Sequence, residues 1–531
     1  MDKKSLVGFI IIAIILALYP YYIRLLPHKE ITPPPQREVA PTVKETPQHQ
    51  PTPPRIPHNP STPVIPTGNG VEKEVKVVTP LYRAILSTKG GVVKSWRLWD
   101  YLDSQGHPVE LLPPQSKGGL SITFSTFGGK LPTASWIFSS PQDSLILGEA
   151  NSSGEVSFSF VSQGVSLTKT FRFFSDFYSC DLEVTAAGLN SLANHYLLEF
   201  PDGMNVTERD SSADLRDFAS YTLWGGELMK EKLKRENRPS FREGETQWVA
   251  TKSKYFLFAG VPLGGNGSGY GLSGGGRMGV SLQREFEGRG FQQSFRIYLG
   301  PLDYFALKGY GVGLERAVGM GEGFLGKVIG PISVVVLWFF VKLHGVIPQY
   351  GLVLIIFSLL MKLLFYPLTY KSLSSMRKMQ KIQPKLAALK EKYKKNPQKL
   401  NQELMKLYKE QGVNPLGGCL PLLLQIPVFW ALFQVFRSTI ELRGERFLWV
   451  KDLSRPDLVQ GIPVLAIIMG ITMFIQQKQT MKDPKQKAMV YLMPILFVFL
   501  FRSFPAGLVL YWTVFNLLTI GQQYILEKVE G

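Results

Sequence analysis

Four patterns of hydrophobic and polar positions follow one another along the chain. Residues 5–26 (SLVGFIIIAIILALYPYYIRLL) are an apolar run behind Lys3 and Lys4, long enough for a helix that crosses about 30 Å of hydrocarbon. The run ends in Tyr19, Tyr21 and Tyr22 without a small-x-small cleavage site, which predicts an uncleaved signal anchor with its N-terminus inside. Pro27 to Pro66 holds thirteen prolines among Thr, Gln, His and Lys; such a segment buries no core and favours extended conformations, so it reads as a tether. Residues 71 to about 315 then alternate, as in VEKEVKVV, VSFSFV, VSLTKTFRFF and QQSFRIYL, between clusters of Gly, Ser, Asn and Asp. Period-two alternation with turn signals predicts a large β-sandwich. From Val328 onward the chain is helical and apolar.

Charge orders that last part. Predicted spans are 348–369, 416–436, 460–477, 488–504 and 506–526. Loop 371–410 carries twelve Lys/Arg against three Glu, and 478–487 is also basic, whereas 438–458 has four positive and four negative residues. The positive-inside rule puts the first two inside and the third outside. Segment 328–343 (VIGPISVVVLWFFVKL) is short for a span, and a crossing there would put 371–410 outside, so it is expected to lie flat in the outer interface. Within 371–410, Asn396-Pro397 is an N-cap followed by proline at the first helical position, which predicts two amphipathic helices in a hairpin.

The spans carry polar residues at telling places. Lys362 is the ionisable group inside GLVLIIFSLLMKLLFYPL (351–368), and a mid-helix cation is a functional hypothesis by default. Ser358, Lys362, Tyr366 and Thr369 share one stripe. One reading is a wet cavity facing Lys362; the other is snorkelling over about 10 Å to the inner end. Gln425 falls near the bilayer centre, Asn516 is followed by Thr519 and Gln523 on one helix face, and Thr472 and Gln476 repeat the pattern. Singly these are interhelical hydrogen bonds; together they suggest a cavity open to the inside and sealed outside. The run KAMVYLMPILFVFLF instead offers Met489, Met493 and Pro494, a greasy surface for varied apolar partners.

Composition removes several classes. The 531 residues are 45% hydrophobic and carry a net charge of +18, but no aromatic-plus-basic RNA signature, zinc spacing or basic zipper accompanies the charge. Cys180 and Cys419 fall in different parts and imply neither a pair nor a metal site. The Gly-rich 264–279 lacks the Lys-Ser/Thr ending of a phosphate loop, and GEGFLGK (321–327) is followed by Val328 where a magnesium-binding hydroxyl is needed.

Three segments carry a family resemblance: YPLTYKSLSSMRKMQKIQPK (366–385), NPLGGCLPLLLQIPVFWALF (414–433) and FPAGLVLYWTVFNLLTIGQQYI (504–525) resemble the YidC family of membrane-protein insertases. The resemblance covers the region from about 345 onward, and the anchor, tether and β-domain resemble the Gram-negative arrangement. It implies an α-helical membrane core of five helices plus the signal anchor, with a large periplasmic all-β supersandwich domain similar to galactose mutarotases. The expected parts are an anchor (1–26), a Pro-rich linker (27–70), the supersandwich (71–318), an interfacial amphipathic helix (319–347) and the five-helix core (348–531) with its cytoplasmic hairpin 371–410.

The implied activity is insertion and folding of inner-membrane proteins, alone or beside the Sec translocon, with no enzyme chemistry, cofactor, nucleotide or metal. Both termini are expected in the cytoplasm. By the resemblance, Lys362, Ser358, Gln425, Trp512 and Asn516 line a hydrophilic groove, and Ile426, Pro427, Met493 and Pro494 form the slide along which a client helix leaves. Lys362 departs from the family, which usually has Arg there; a point charge is kept and the bidentate fork is lost. The implied partners are nascent membrane proteins, the Sec translocon, anionic lipids and, through the basic inner loops, the ribosome, since a long basic tail is absent before Gly531. The alternative is an ion-coupled transporter, against which five unequal spans offer no repeat. A sugar-processing enzyme is a weaker rival, because His107 and His195 lie far apart in sequence.

Overall fold

The computed structural model describes residues 70–530 except 127–128, 190–192, 234–239, 275–276, 287–289, 322–325, 413–419 and 481–486. The expected anchor, the tether and Cys419 lie outside the described residues.

The alternating segments form two sheets. Among the described residues, a five-stranded sheet runs in the order Pro108–Glu110, Val92–Leu102, Tyr82–Ser87, Glu74–Val78 and Ser144–Ile146, with the last pair parallel. A thirteen-stranded antiparallel sheet is built around Phe256–Pro262, Gly290–Pro301, Ser179–Ala187 and Val165–Phe174. Alternate residues such as Val156, Phe158 and Phe160 point into one apolar core. There Trp96 of the smaller sheet meets Phe173 of the larger with ring centroids 6.2 Å apart. Lys169 breaks the pattern: it lies on the inward face of its strand, fully buried. Its Nζ donates to the carbonyls of Gly90 (3.3 Å), Leu120 (2.6 Å) and Gly91, while burial pushes its pKa down to about 7. Two short helices, α1 (Ser211–Asp217) and α2 (Tyr304–Gly309), are each capped by an aspartate side chain, Asp210 and Asp303.

The apolar part folds into α3 (Gly326–His344), α4 (Tyr350–Leu364), α5 (Tyr366–Lys381), α6 (Gln383–Lys392), α7 (Pro397–Glu410), α8 (Leu420–Ser438), α9 (Val464–Thr480), α10 (Lys487–Phe501) and α11 (Ala506–Glu530). Val353, Phe357, Leu432, Phe436, Met469 and Val509 are among its core. The helix expected over 348–369 ends at Leu364. Pro367 lacks an N–H, and its ring clashes with the carbonyl four residues back, so the chain restarts as α5. Pro384 likewise divides the first hairpin stretch into α5 and α6, so three helices stand where two were expected. The expected cap is present: the Asn396 side chain accepts from the Lys399 N–H at 3.1 Å, with Pro397 opening α7. Ile382, Leu386 and Leu407 hold these helices in a small cluster of their own. α3 has 19 residues, three more than the expected segment, and by length and composition is able to cross a membrane. Its buried Ser333 hydroxyl reaches Gln434 of α8 at 3.2 Å.

The connection between α8 and α9 joins the two parts. Ile440 enters the sandwich core. The buried Glu208 carboxylate accepts from Arg443 Nε at 2.8 Å and from Arg455. The Arg443 guanidinium also lies 5.3 Å from the Phe256 ring centre. On the other side of this connection Phe447 rests on Gly351 at the start of α4, where a Cβ would come within 1.9 Å of the ring.

Candidate functional site

The α4 stripe faces α11. Ser358 is fully buried, and its hydroxyl donates to Leu354 O of its own helix at 2.7 Å, which quenches it as a groove donor. One turn on, Lys362 is 6% exposed. Its Nζ donates to Thr519 Oγ1 at 2.8 Å and lies 4.9 Å from the Phe515 ring centre. Thr519 gives its single hydroxyl hydrogen to Phe515 O at 2.7 Å, so it meets the ammonium with a lone pair. The lysine stem therefore crosses to a neighbouring helix, and the ammonium occupies a seam between α4 and α11.

A parallel arrangement lies one turn away. Asn516 is buried and donates to Thr472 Oγ1 at 3.3 Å, and that hydroxyl gives its hydrogen to Met469 O at 2.7 Å. In both pairs a threonine spends its hydrogen within its own helix and offers a lone pair to a neighbouring helix, across α4/α11 in the first and α9/α11 in the second. One turn beyond Thr519, Gln523 is 5% exposed and neither of its amide atoms has a hydrogen-bond partner. Buried amides are normally satisfied by protein or ordered water. An ammonium has three N–H donors, of which Thr519 takes one.

The other expected groove residues lie nearer the start of α11, where Trp512 is one turn before Asn516 on the same stripe. Gln425 of α8 is half-buried and lies toward the Tyr511 hydroxyl without hydrogen-bond geometry. Trp512 is half-buried and packs edge-on against Phe429 at 5.5 Å. Ile426 is exposed, while Pro427 and Met493 are half-buried. Pro494 is buried and lines a cleft between α9 and α10. The structure thus places two polar contacts one turn apart on α11, Lys362 of α4 to Thr519 and Asn516 to Thr472 of α9, and leaves Gln425 and Trp512 beside an aromatic cluster. Thr519 and Thr472 were legible as polar stripe members, but helical spacing alone did not identify them as the partners. In the sandwich, His107 borders the smaller sheet and His195 is in the larger, so no imidazole pair forms.

Comparison with known proteins adds the following. The family model for the 60 kDa inner membrane protein matches residues 342–530, and that for the YidC periplasmic domain matches residues 74–329. The membrane protein insertases YidC of Pelodictyon phaeoclathratiforme and Chlorobium limicola are each 35% identical over 560 residues, covering 99% of this chain and 95% of theirs. That of Syntrophus aciditrophicus is 33% identical over 558 residues, covering 99% of this chain and all of its own. A solved structure of an active YidC insertase with its first transmembrane domain resolved aligns at a TM-score of 0.39 with 21% identity, covering 87% of this chain and 93% of that one.

Proposed function

Since this chain belongs to the YidC family and is a membrane protein insertase acting on nascent membrane proteins, we propose that it receives a client's polar segment at the α4/α11 seam. The observation that carries this reading is the Lys362 ammonium, buried on a single threonine lone pair with donors to spare. A client segment entering from the cytoplasm, acidic ones most readily, replaces Thr519 as the partner of the ammonium. Asn516 and Gln523 supply further hydrogen-bonding capacity on the same helix. The dry path that the segment must cross is shortened, which lowers its desolvation penalty. The client's apolar helix meanwhile lies against α8 and α10 by way of Ile426, Pro427 and Met493. Hydrophobic partition and, for acidic segments, the membrane potential of about 2.3 kcal/mol per charge per 100 mV supply the drive. No bond is made or broken.

In this reading α4, α8, α9, α10 and α11 span the inner membrane with the residue 5–26 anchor, both termini are cytoplasmic, and α3 lies in the outer interface. The basic helices α5 to α7 meet anionic lipid and the ribosome, and the Sec translocon is a partner for larger clients. The β-domain belongs to the periplasm. An ion-coupled transporter would also place a cation in a span. Photocrosslinking from position 425 in cells tests the proposal: nascent membrane proteins are the expected adducts. Ion-driven uptake into sealed vesicles, with no client adduct, would favour the transporter.

A further inference from the structure

Outside the seam, α9 and α10 enclose a cleft of about 890 Å³. Its floor exists because residue 470 is glycine: a Cβ there would meet Val498 Cγ2 at 2.4 Å. Ile471, Ile495 and Phe499 stand exposed along its walls, and Tyr491 closes one end against Phe474. At the other end, next to the α8–α9 connection, Arg502 is exposed with its guanidinium 4.4 Å from the Phe499 ring centre. No carboxylate among the described residues pairs with it.

We propose that this cleft is a phospholipid site, with the headgroup phosphate on Arg502 and one acyl chain lying along α9 and α10 toward Tyr491. Tyr491 to Arg502 spans eleven helical steps, about 16 Å, and one leaflet of a hydrocarbon core some 30 Å thick is about 15 Å deep. The trough therefore has the length of a single tail. Its cation stands at the level of a headgroup, and an aromatic-backed, unpaired guanidinium at an interface is suited to a phosphate. A partner helix would bring an apolar side to the walls but no anion to Arg502. The site lies at the opposite end of the bundle from the basic hairpin, so it is separate from any lipid contact made there.

The test uses the full chain in phosphatidylglycerol/phosphatidylethanolamine vesicles doped with a phosphatidylglycerol that carries a photoreactive tail, with adducts mapped by mass spectrometry. Labelling is expected at Ile471, Ile495 and Phe499 above that at Leu359 and Leu363, which are exposed apolar residues of α4. Arg502→Gln should lower the cleft signal about threefold and Arg502→Lys should retain most of it, while α4 labelling stays constant as the internal check on folding. Equal labelling of cleft and α4, or a cleft signal indifferent to Arg502→Gln, would reduce the cleft to ordinary lipid-facing surface. Loss of the signal on adding excess inorganic phosphate would make Arg502 a free-anion site and overturn the lipid assignment.

Discussion

Replacing Glu208 by glutamine should release the β-domain from the helical core. The Glu208 and Arg443 side chains are each 6% exposed at their contact. Glutamine keeps one acceptor but removes the charge, leaving the Arg443 guanidinium against the rings of Tyr255 and Phe256. Stripping a partner from a buried pair costs about 3–5 kcal/mol, and the retained acceptor places this change near 3. Arg455 adds little, since it is 31% exposed and keeps Asp452 at 3.1 Å. About 3 kcal/mol is roughly a hundredfold in the equilibrium between docked and undocked domains. Hydrogen exchange on the full chain in a bilayer reads it directly, as faster exchange over residues 439–455 with the strand cores unchanged. Burial raises the Glu208 pKa, but the two guanidiniums outweigh it and hold the carboxyl below its ordinary 4.5. Its contribution is therefore present above that value and lost as pH falls through the folded-state value, and Glu208→Gln should abolish that acid sensitivity. Unchanged protection in the variant, or a coupling below about 0.5 kcal/mol in the cycle with Arg443→Gln, would refute a seam held by this ion pair.

Other outcomes follow from the same contacts. Lys362→Arg should insert clients normally, Lys362→Ala should slow acidic clients more than neutral ones, and Lys362→Glu should repel acidic clients; equal wild-type rates for every client with Lys362→Ala would make the lysine a topology anchor. Asn396→Ala should cost about 1 kcal/mol at the start of α7, and α5 to α7 should exchange faster than α8 and α11, because the hairpin rests on a small cluster; exchange as slow as α11 would contradict this. Glu441 has both carboxylate oxygens buried without a partner, and burial, then the Asp303 charge, raise its pKa to about 7. Because the folded state holds this proton longer, its stabilisation is full below 4.5 and lost as pH rises through 7. Glu441→Gln should thus exceed the wild type in thermal stability at pH 8 by up to about 3 kcal/mol and match it in acid; a gain that did not vary with pH would argue against the assignment.

The strands and most helix positions were legible because long runs of period-two or unbroken apolar residues leave little choice of element. The Asn396-Pro397 cap was legible for the same local reason. Pro367 and Pro384 were visible, but the expected helices were drawn through them, since an apolar or basic run on both sides masks a break that proline's missing donor dictates. Long-range chemistry was not legible. Lys362 and Thr519 are 157 positions apart, and Glu208 and Arg443 are 235 apart; neither span periodicity nor loop charge says which cation meets which acceptor. The mid-span charge and the polar helix stripes pointed to Lys362 and Asn516, as the resemblance then did, whereas their pairing with Thr519 and Thr472 came from the packing. Lys169 shows the converse limit, as its place in the strand predicts an inward side chain while its chemistry argues for an outward one.

The contact of Phe447 on Gly351 gives the bundle a pivot. At that end α4 is pressed against a connection that is itself riveted to the sandwich, and no side chain intervenes to act as a cushion. The opposite end of α4 leads into a hairpin stabilised mainly by its own small cluster. Any rocking of α4 is therefore a rotation about Gly351, and displacement grows with distance from it. Lys362 lies eleven residues away, about 16 Å along the axis. A tilt of about 10° carries it roughly 3 Å, comparable with its 2.8 Å bond to Thr519, while the residues beside the pivot scarcely move. On the proposed reading, the swing that parts the ammonium from its threonine leaves the Gly351 end packed on Phe447, so the two ends of α4 answer to different contacts.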